Sequence, residues 1–164
     1  MIITIPLVIL MCVAFVLVFL FVKTIDDRKW LSILVSLVIT PFVYFYGMYP
    51  LINIFTNYHH EKYFSAETWK DKPSLRYELS DDLIASKMLM GATKAEVKQQ
   101  LGPYEWLSYN ESSKAHDNNK WNYGLGIEPG AFNTKKDCIE ISFINNKVNS
   151  ISPYKEEIKF DKKK

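Results

Sequence analysis

The chain has 164 residues, with 20 Lys plus Arg against 18 Asp plus Glu and a formal charge of +2; its mean hydropathy of −0.08 hides two populations, because the part after Asn57 holds 17 of the basic and 16 of the acidic side chains. Charges so evenly mixed lack the clustered basic face that nucleic acid requires. The two cysteines, Cys12 in an apolar run and Cys138 in the polar part, exclude a disulfide framework and a paired-cysteine metal site.

Residues 2–22 form an uncharged apolar run. At 1.5 Å per residue, roughly 20 such residues cover a hydrocarbon core of about 30 Å. A cleaved signal peptide is the rival reading, but it needs a positive leader, a shorter apolar stretch and a small-residue cleavage site, and nothing basic precedes Lys23 here. A second uncharged run, about 30–49, opens with Trp30 and closes with Tyr44, Tyr46 and Tyr49, as an aromatic belt would. Pro41 falls inside it and predicts a local kink, which membrane helices tolerate. The link between the runs carries Lys23, Arg28 and Lys29, outweighing the basic residues of either flank. The positive-inside rule therefore predicts a cytoplasmic loop, an inner- or plasma-membrane hairpin over 1–55, and an extracytoplasmic polar domain. Neither run has an ionisable side chain apart from Cys12, which argues for an anchor and against an ion pathway.

Residues 56–79 read as a connector with one helical turn. His59, His60 and Glu61 invite a metal reading, but adjacent side chains diverge and the one other histidine, His116, stands in a polar loop. No metal or other cofactor is expected. Ser80 is placed to cap a helix whose first turn holds Asp81 and Asp82, with Leu83, Ile84 and Met88 on one face and Gly91 at its stop. Thr93 and Glu96 have capping-box spacing for a second helix, ended by Gly102 and Pro103.

From Tyr104 the period changes to two. Strands are predicted at "YEWLSY", "WNYGLG" and "CIEISFI", and the Asn145-Asn146 pair suits a tight turn into "KVNSI" with Val148 opposite Phe143. Helices followed by strands predict an α+β domain over 80–154, two helices on an antiparallel sheet of three to four strands. Trp106, Trp121, Tyr123 and Phe143 are the expected aromatic core, and 155–164 a charged tail. Long loops are expected at 110–119 and 126–137. The second carries Ile127 and Phe132, which either fold back on the core or meet a partner.

"GATKAEVKQQLGPYEW", "WNYGLG" and "IEISFINNKVNSI", in that order over about 80–152, resemble the BamE-like (SmpA/OmlA) domains, whose fold is shared with the repeats of the β-lactamase inhibitor protein. The resemblance implies helix, helix, then an antiparallel sheet. The family's best-known member is a lipoprotein with an acylated cysteine, whereas Cys12 lies deep in a span, so that member's assembly role does not transfer. There is no nucleophile motif or phosphate loop, and Asp81 with Asp82 fit a helix's first turn, so no enzyme is expected. The expected function is binding or scaffolding of another envelope protein, with lipid or envelope-stress sensing as the alternative.

Overall fold

The computed structural model describes residues 1–158; of the charged tail expected at 155–164, residues 159–164 lie outside the described residues. The chain divides into two compact units, one of Met1–His60 with Pro129–Phe132, the other of Glu61–Glu128 with the chain from Asn133 on.

The first unit is helical. α1 (Ile5–Lys23) starts after Thr4, whose hydroxyl accepts from the Leu7 amide, with proline in the first turn where a missing N–H costs nothing. α2 (Lys29–Val43) buries Ser32, Ser36 and Thr40 at four-residue spacing, and α1 buries Leu7, Ala14, Val18 and Val22. Ser36 and Thr40 each donate to the carbonyl four residues back, at 2.6 Å. Their polarity is thereby consumed within the helix, and small side chains let two helix backbones approach. The connecting turn is tightened by Arg28, whose guanidinium pairs with Asp26 at 2.7 Å; that hydrogen bonding holds the Asp26 carboxyl down to about 2.

The second apolar run continues farther than its sequence suggests. Beyond Pro41 the helix widens into a π turn, Tyr44–Met48, and resumes as α3 (Tyr49–Phe55). The helical run Lys29–Phe55 is 27 residues long, and both it and α1 are long and apolar enough to cross a membrane. A π turn is a common way for a helix to absorb a disturbed hydrogen-bond ladder.

The second unit is α+β. α4 (Ala66–Asp71), capped by Ser65, lies inside the stretch expected to be a connector and buries Trp69 completely. α5 (Tyr77–Ala85) starts before the expected cap: Ser80 lies within the helix and donates to the Tyr77 carbonyl at 3.1 Å. The reason is apolar spacing, since Leu79 and Leu83 both enter the core and extend its buried face a turn upstream of Asp81. α6 (Lys94–Leu101) has the capping box: the Thr93 amide donates to Glu96 Oε2 at 2.7 Å and the Glu96 amide to Thr93 Oγ1 at 3.3 Å. Gly102 ends it with φ +84° and ψ −174°, a conformation essentially reserved for glycine.

β1 (Trp106–Asn110), β2 (Ala115–Gly126), β3 (Lys135–Ile144) and β4 (Lys147–Glu157) form one antiparallel sheet in chain order. Asn145 and Asn146 turn with φ of +50° and +63°, and Phe143 pairs with Val148. The expected loop at 110–119 is instead a short turn. Asn110 Oδ1 accepts from the Ser112 and Ser113 amides, and β2 begins at Ala115. This is Asn side-chain turn chemistry, which a polar stretch without alternation does not announce. β4 likewise runs to Glu157, into the segment expected to be tail.

The core joins Trp69, Leu79, Leu83, Val97 and Leu101 to one face of the sheet, where Trp121, Tyr123, Ile139, Ile141 and Phe143 lie. Trp106 is not among them. It is half-buried on the opposite face, because its neighbour Leu107 takes the inward position and successive strand residues point opposite ways.

Candidate functional site

The outward face of the sheet carries a polar row in direct register. Trp106 pairs with Asn122, Asn122 with Glu140, and Glu140 with Ser152. Period two puts all four on the face away from the helices, since Trp121, Tyr123, Ile139 and Ile141 occupy the core positions between them. Over this row lies an open groove walled by Trp106, Tyr109 and Tyr154.

Its floor is tightly bonded. Asn122 is 1% exposed; its Nδ2 donates to Ser108 Oγ at 2.9 Å while its Oδ1 accepts from the Tyr154 hydroxyl at 2.9 Å. Ser108 in turn donates to Glu140 Oε2 at 2.5 Å, and Ser142 donates to Glu140 Oε1 at 3.2 Å. Burial pushes the Tyr154 phenol above its ordinary value, so it stays protonated and able to donate. The charged side chains that line the groove are Glu140 and Glu156. Lys120 reaches Glu140 from the rim at 3.5 Å, and the Lys136 ammonium lies 4.8 Å above the Trp106 ring. A buried amide with its hydrogen bonds satisfied is a fixed template, costly to disturb and unsuited to proton transfer.

A second network fixes β1 and β2 to α4 and α5. Arg76, 7% exposed, donates from Nε to the Trp69 carbonyl at 2.8 Å and from Nη1 to the Gly124 carbonyl at 3.0 Å and to Glu105 Oε1. Its guanidinium stacks 5.0 Å from the Trp69 ring. Glu105 Oε2 accepts from the Gly124 amide at 3.1 Å. Nothing in the spacing of Arg76, Glu105 and Gly124 along the chain announces this triad.

The residues singled out from sequence fall in different places. Thr93, Glu96 and Gly102 bound α6, while Trp121 and Phe143 meet edge to face in the core at 4.8 Å. Ile127 is 47% and Phe132 85% exposed, so neither is folded into the core. They stand in the connection between β2 and β3, whose base is closed by Asn133 Nδ2 donating to the Glu128 carbonyl at 3.0 Å. Lys155 holds that base through Glu128 at 2.8 Å and Asp137 at 2.9 Å. His60 and His59 diverge. His60 Nε2 is 2.9 Å from the Tyr44 hydroxyl and its ring stacks on Tyr49 at 4.0 Å, whereas His59 Nδ1 lies 3.2 Å from the Asn57 carbonyl. Cys138 is fully buried, and burial pushes its thiol up to about 11, far from a reactive thiolate.

Compared with protein-family models, with curated proteins and with solved structures, the chain has no match in any of the three.

Proposed function

We propose that the chain is a membrane-anchored, non-catalytic binding protein whose α+β domain holds a segment of another envelope protein against the outward face of its sheet. The observation that carries this reading is the groove over Asn122: aromatic walls and a rigid, hydrogen-bonded polar floor left open to solvent. Aromatic side chains give contact area at little entropic cost, and a fixed floor lowers the cost of ordering a ligand. Glu140 and Glu156 suit a segment that brings a lysine or arginine side chain, which could also lie against Tyr109 or Tyr154. The order of α5 and α6 before the sheet supports placing the domain with the BamE-like group.

In this reading α1 and the run from α2 to α3 cross the inner or plasma membrane, and Lys23, Arg28 and Lys29 keep their turn in the cytoplasm. A reporter fused after Lys164 should then behave as extracytoplasmic, and neutralising the three basic residues should mix the orientation. Binding is tested in cells with a photoreactive residue at Tyr109, which is 52% exposed in the groove. A discrete protein adduct is expected there, lost with Glu140→Gln and Glu156→Gln together. No adduct, or one indifferent to both carboxylates, would refute the groove as the binding surface. Sensing of lipid is the alternative, favoured by the placement of Phe132.

A further inference from the structure

Phe132 is the most exposed large apolar side chain of the described residues, at 85%. The tip that carries it, Pro129–Phe132, groups with the helical unit. One bond shows how: the Ala131 amide donates to the Ile54 carbonyl at 3.0 Å. Ile54 stands in the last turn of α3, where carbonyls have no donor within the helix. The tip therefore serves as a cap on the end of the second apolar helix, which fixes its level along that helix.

That level can be estimated from the hairpin. Tyr44, Met48 and Tyr49 cluster with Leu7, Leu10 and Met11 in the first turns of α1, so α3 continues past the start of α1. The 27 residues from Lys29 to Phe55 rise about 40 Å at 1.5 Å each, against a hydrocarbon core of about 30 Å and about 40–45 Å with the headgroup regions. With Lys29 at one face, Ile54 and Phe55 reach the headgroup region of the other. Leu51, Ile54 and Phe55 are themselves 58%, 44% and 75% exposed, and Tyr46 is 82% exposed. Aromatic rings are favoured at that depth, where one side is apolar and the other wet.

We infer that the tip Pro129–Phe132 is an interfacial lipid anchor, with the Phe132 ring seated among headgroups and upper acyl chains beside the end of α3. This narrows the candidate contact of Phe132 to one occupant, the bilayer, and it rests on the reading that the hairpin spans a membrane. Gly130, at φ +127°, lets the chain turn so that Ala131 can donate to α3 while Phe132 projects outward.

The test uses the full chain in phosphatidylcholine vesicles, a neutral lipid that removes charge attraction. A photoreactive benzoylphenylalanine replaces one residue at a time: Phe132, Leu34 as a site in the middle of the second span, or Ser113 in the exposed β1–β2 turn. Mass spectrometry then reads adducts. Phosphatidylcholine adducts at 132 and 34, several-fold above those at 113, are the expected result. Adducts at 34 with none at 132 would overturn the lipid anchor and leave the membrane hairpin standing. Absence at 34 would overturn the hairpin and this inference with it. A protein adduct at 132, or lipid adducts at 113 as strong as those at 132, would also overturn it.

Discussion

Two rows of residues cross the sheet one position apart. Leu107, Trp121, Ile141 and Ile151 pair in register and belong to or pack against the core. Trp106, Asn122, Glu140 and Ser152, the next row, pair just as regularly and face away. Both rows buy order in the same backbone, but the first does so by removing apolar surface from water and the second by linking polar side chains. A slip of one residue in β2 would present Asn122 to the helices and Trp121 to the groove, so the two rows enforce one register together. The inward row is thereby committed to the core, and the outward one lines the groove.

The comparison is sharpest at two tryptophans. Trp69, with no exposed surface, is set against Tyr123 at 6.2 Å in the core; Trp106 is half-buried across the sheet. Trp69→Ala should cost about 3–5 kcal/mol, the usual loss for emptying a large core site. Trp106→Ala should cost about 1–2 kcal/mol, in proportion to the smaller surface it hides. Urea unfolding of the full chain in detergent micelles, followed by near-ultraviolet circular dichroism, measures both. Equal losses would erase the distinction between the faces.

Gly126 comes next. A Cβ there would stand 2.1 Å from the Ser74 carbonyl oxygen, and the residue has φ of +100°. Leu75 bridges to Gly126, so backbone meets backbone where the segment between α4 and α5 crosses the end of β2. Neither side can yield without moving that crossing. Gly126→Ala should cost about 2–4 kcal/mol by the same measurement, combining overpacking with strain at a positive φ.

Asn122 tests the outward row. Asn122→Ala removes the acceptor of the Tyr154 hydroxyl and the donor to Ser108 in one step. The loss should be about 1–3 kcal/mol, because the stranded partners lie in a part-buried groove where water replaces only some of their bonds. Asn122→Asp keeps the acceptor for Tyr154 but faces Ser108 and the Glu140 carboxylate with a second negative charge, so it should be destabilised more at pH 8 than at pH 4. A flat pH response would mean that the row is not electrostatically continuous.

How far these features could be read beforehand depends on whether the signal was local. The apolar runs, the capping box of Thr93 with Glu96, Gly102, the Asn145-Asn146 turn and the inward alternation of Ile139, Ile141 and Phe143 are written within a few residues of one another. Each stands in the structure where its spacing puts it, except that the second apolar run continues on to Phe55. Trp69 and Arg76 were hidden in what reads as a connector, because their partners, Tyr123, Glu105 and Gly124, lie 29 to 54 positions away. Trp106 reads as core because a Trp in a short strand looks apolar whichever way it points. Only the register with β2 decides that Leu107 goes inward. The groove was invisible for the same reason: Asn122, Glu140 and Tyr154 become neighbours through pairing alone. Phe132 has no local reason in the sequence to be apolar, and the bond beside it, from the Ala131 amide to the Ile54 carbonyl, joins residues 77 positions apart.

Gly124 gives the smallest expected effect and the finest test of the two faces. A Cβ built there would lie 2.5 Å from Lys136 Cε and Nζ and 3.0 Å from Glu105 Oε2. By distance alone this site looks nearly as crowded as Gly126. The neighbours differ in kind, however, because the end of a lysine can swing away, whereas the Ser74 carbonyl cannot. Swinging away takes Lys136 from the Trp106 ring, 4.8 Å from its ammonium, and from the 4.0 Å ion pair with Glu105. Both contacts are part-exposed, and exposed pairs contribute about 0–1 kcal/mol. Gly124→Ala should therefore cost no more than about 1 kcal/mol, with part of that offset by the lower entropy of the unfolded chain. Lys136→Met, which removes the ammonium first, should make the same glycine substitution smaller still. If Gly124→Ala instead destabilises the chain as much as Gly126→Ala, then Glu105 and Arg76 hold the outward face as rigidly as the core holds the inward one.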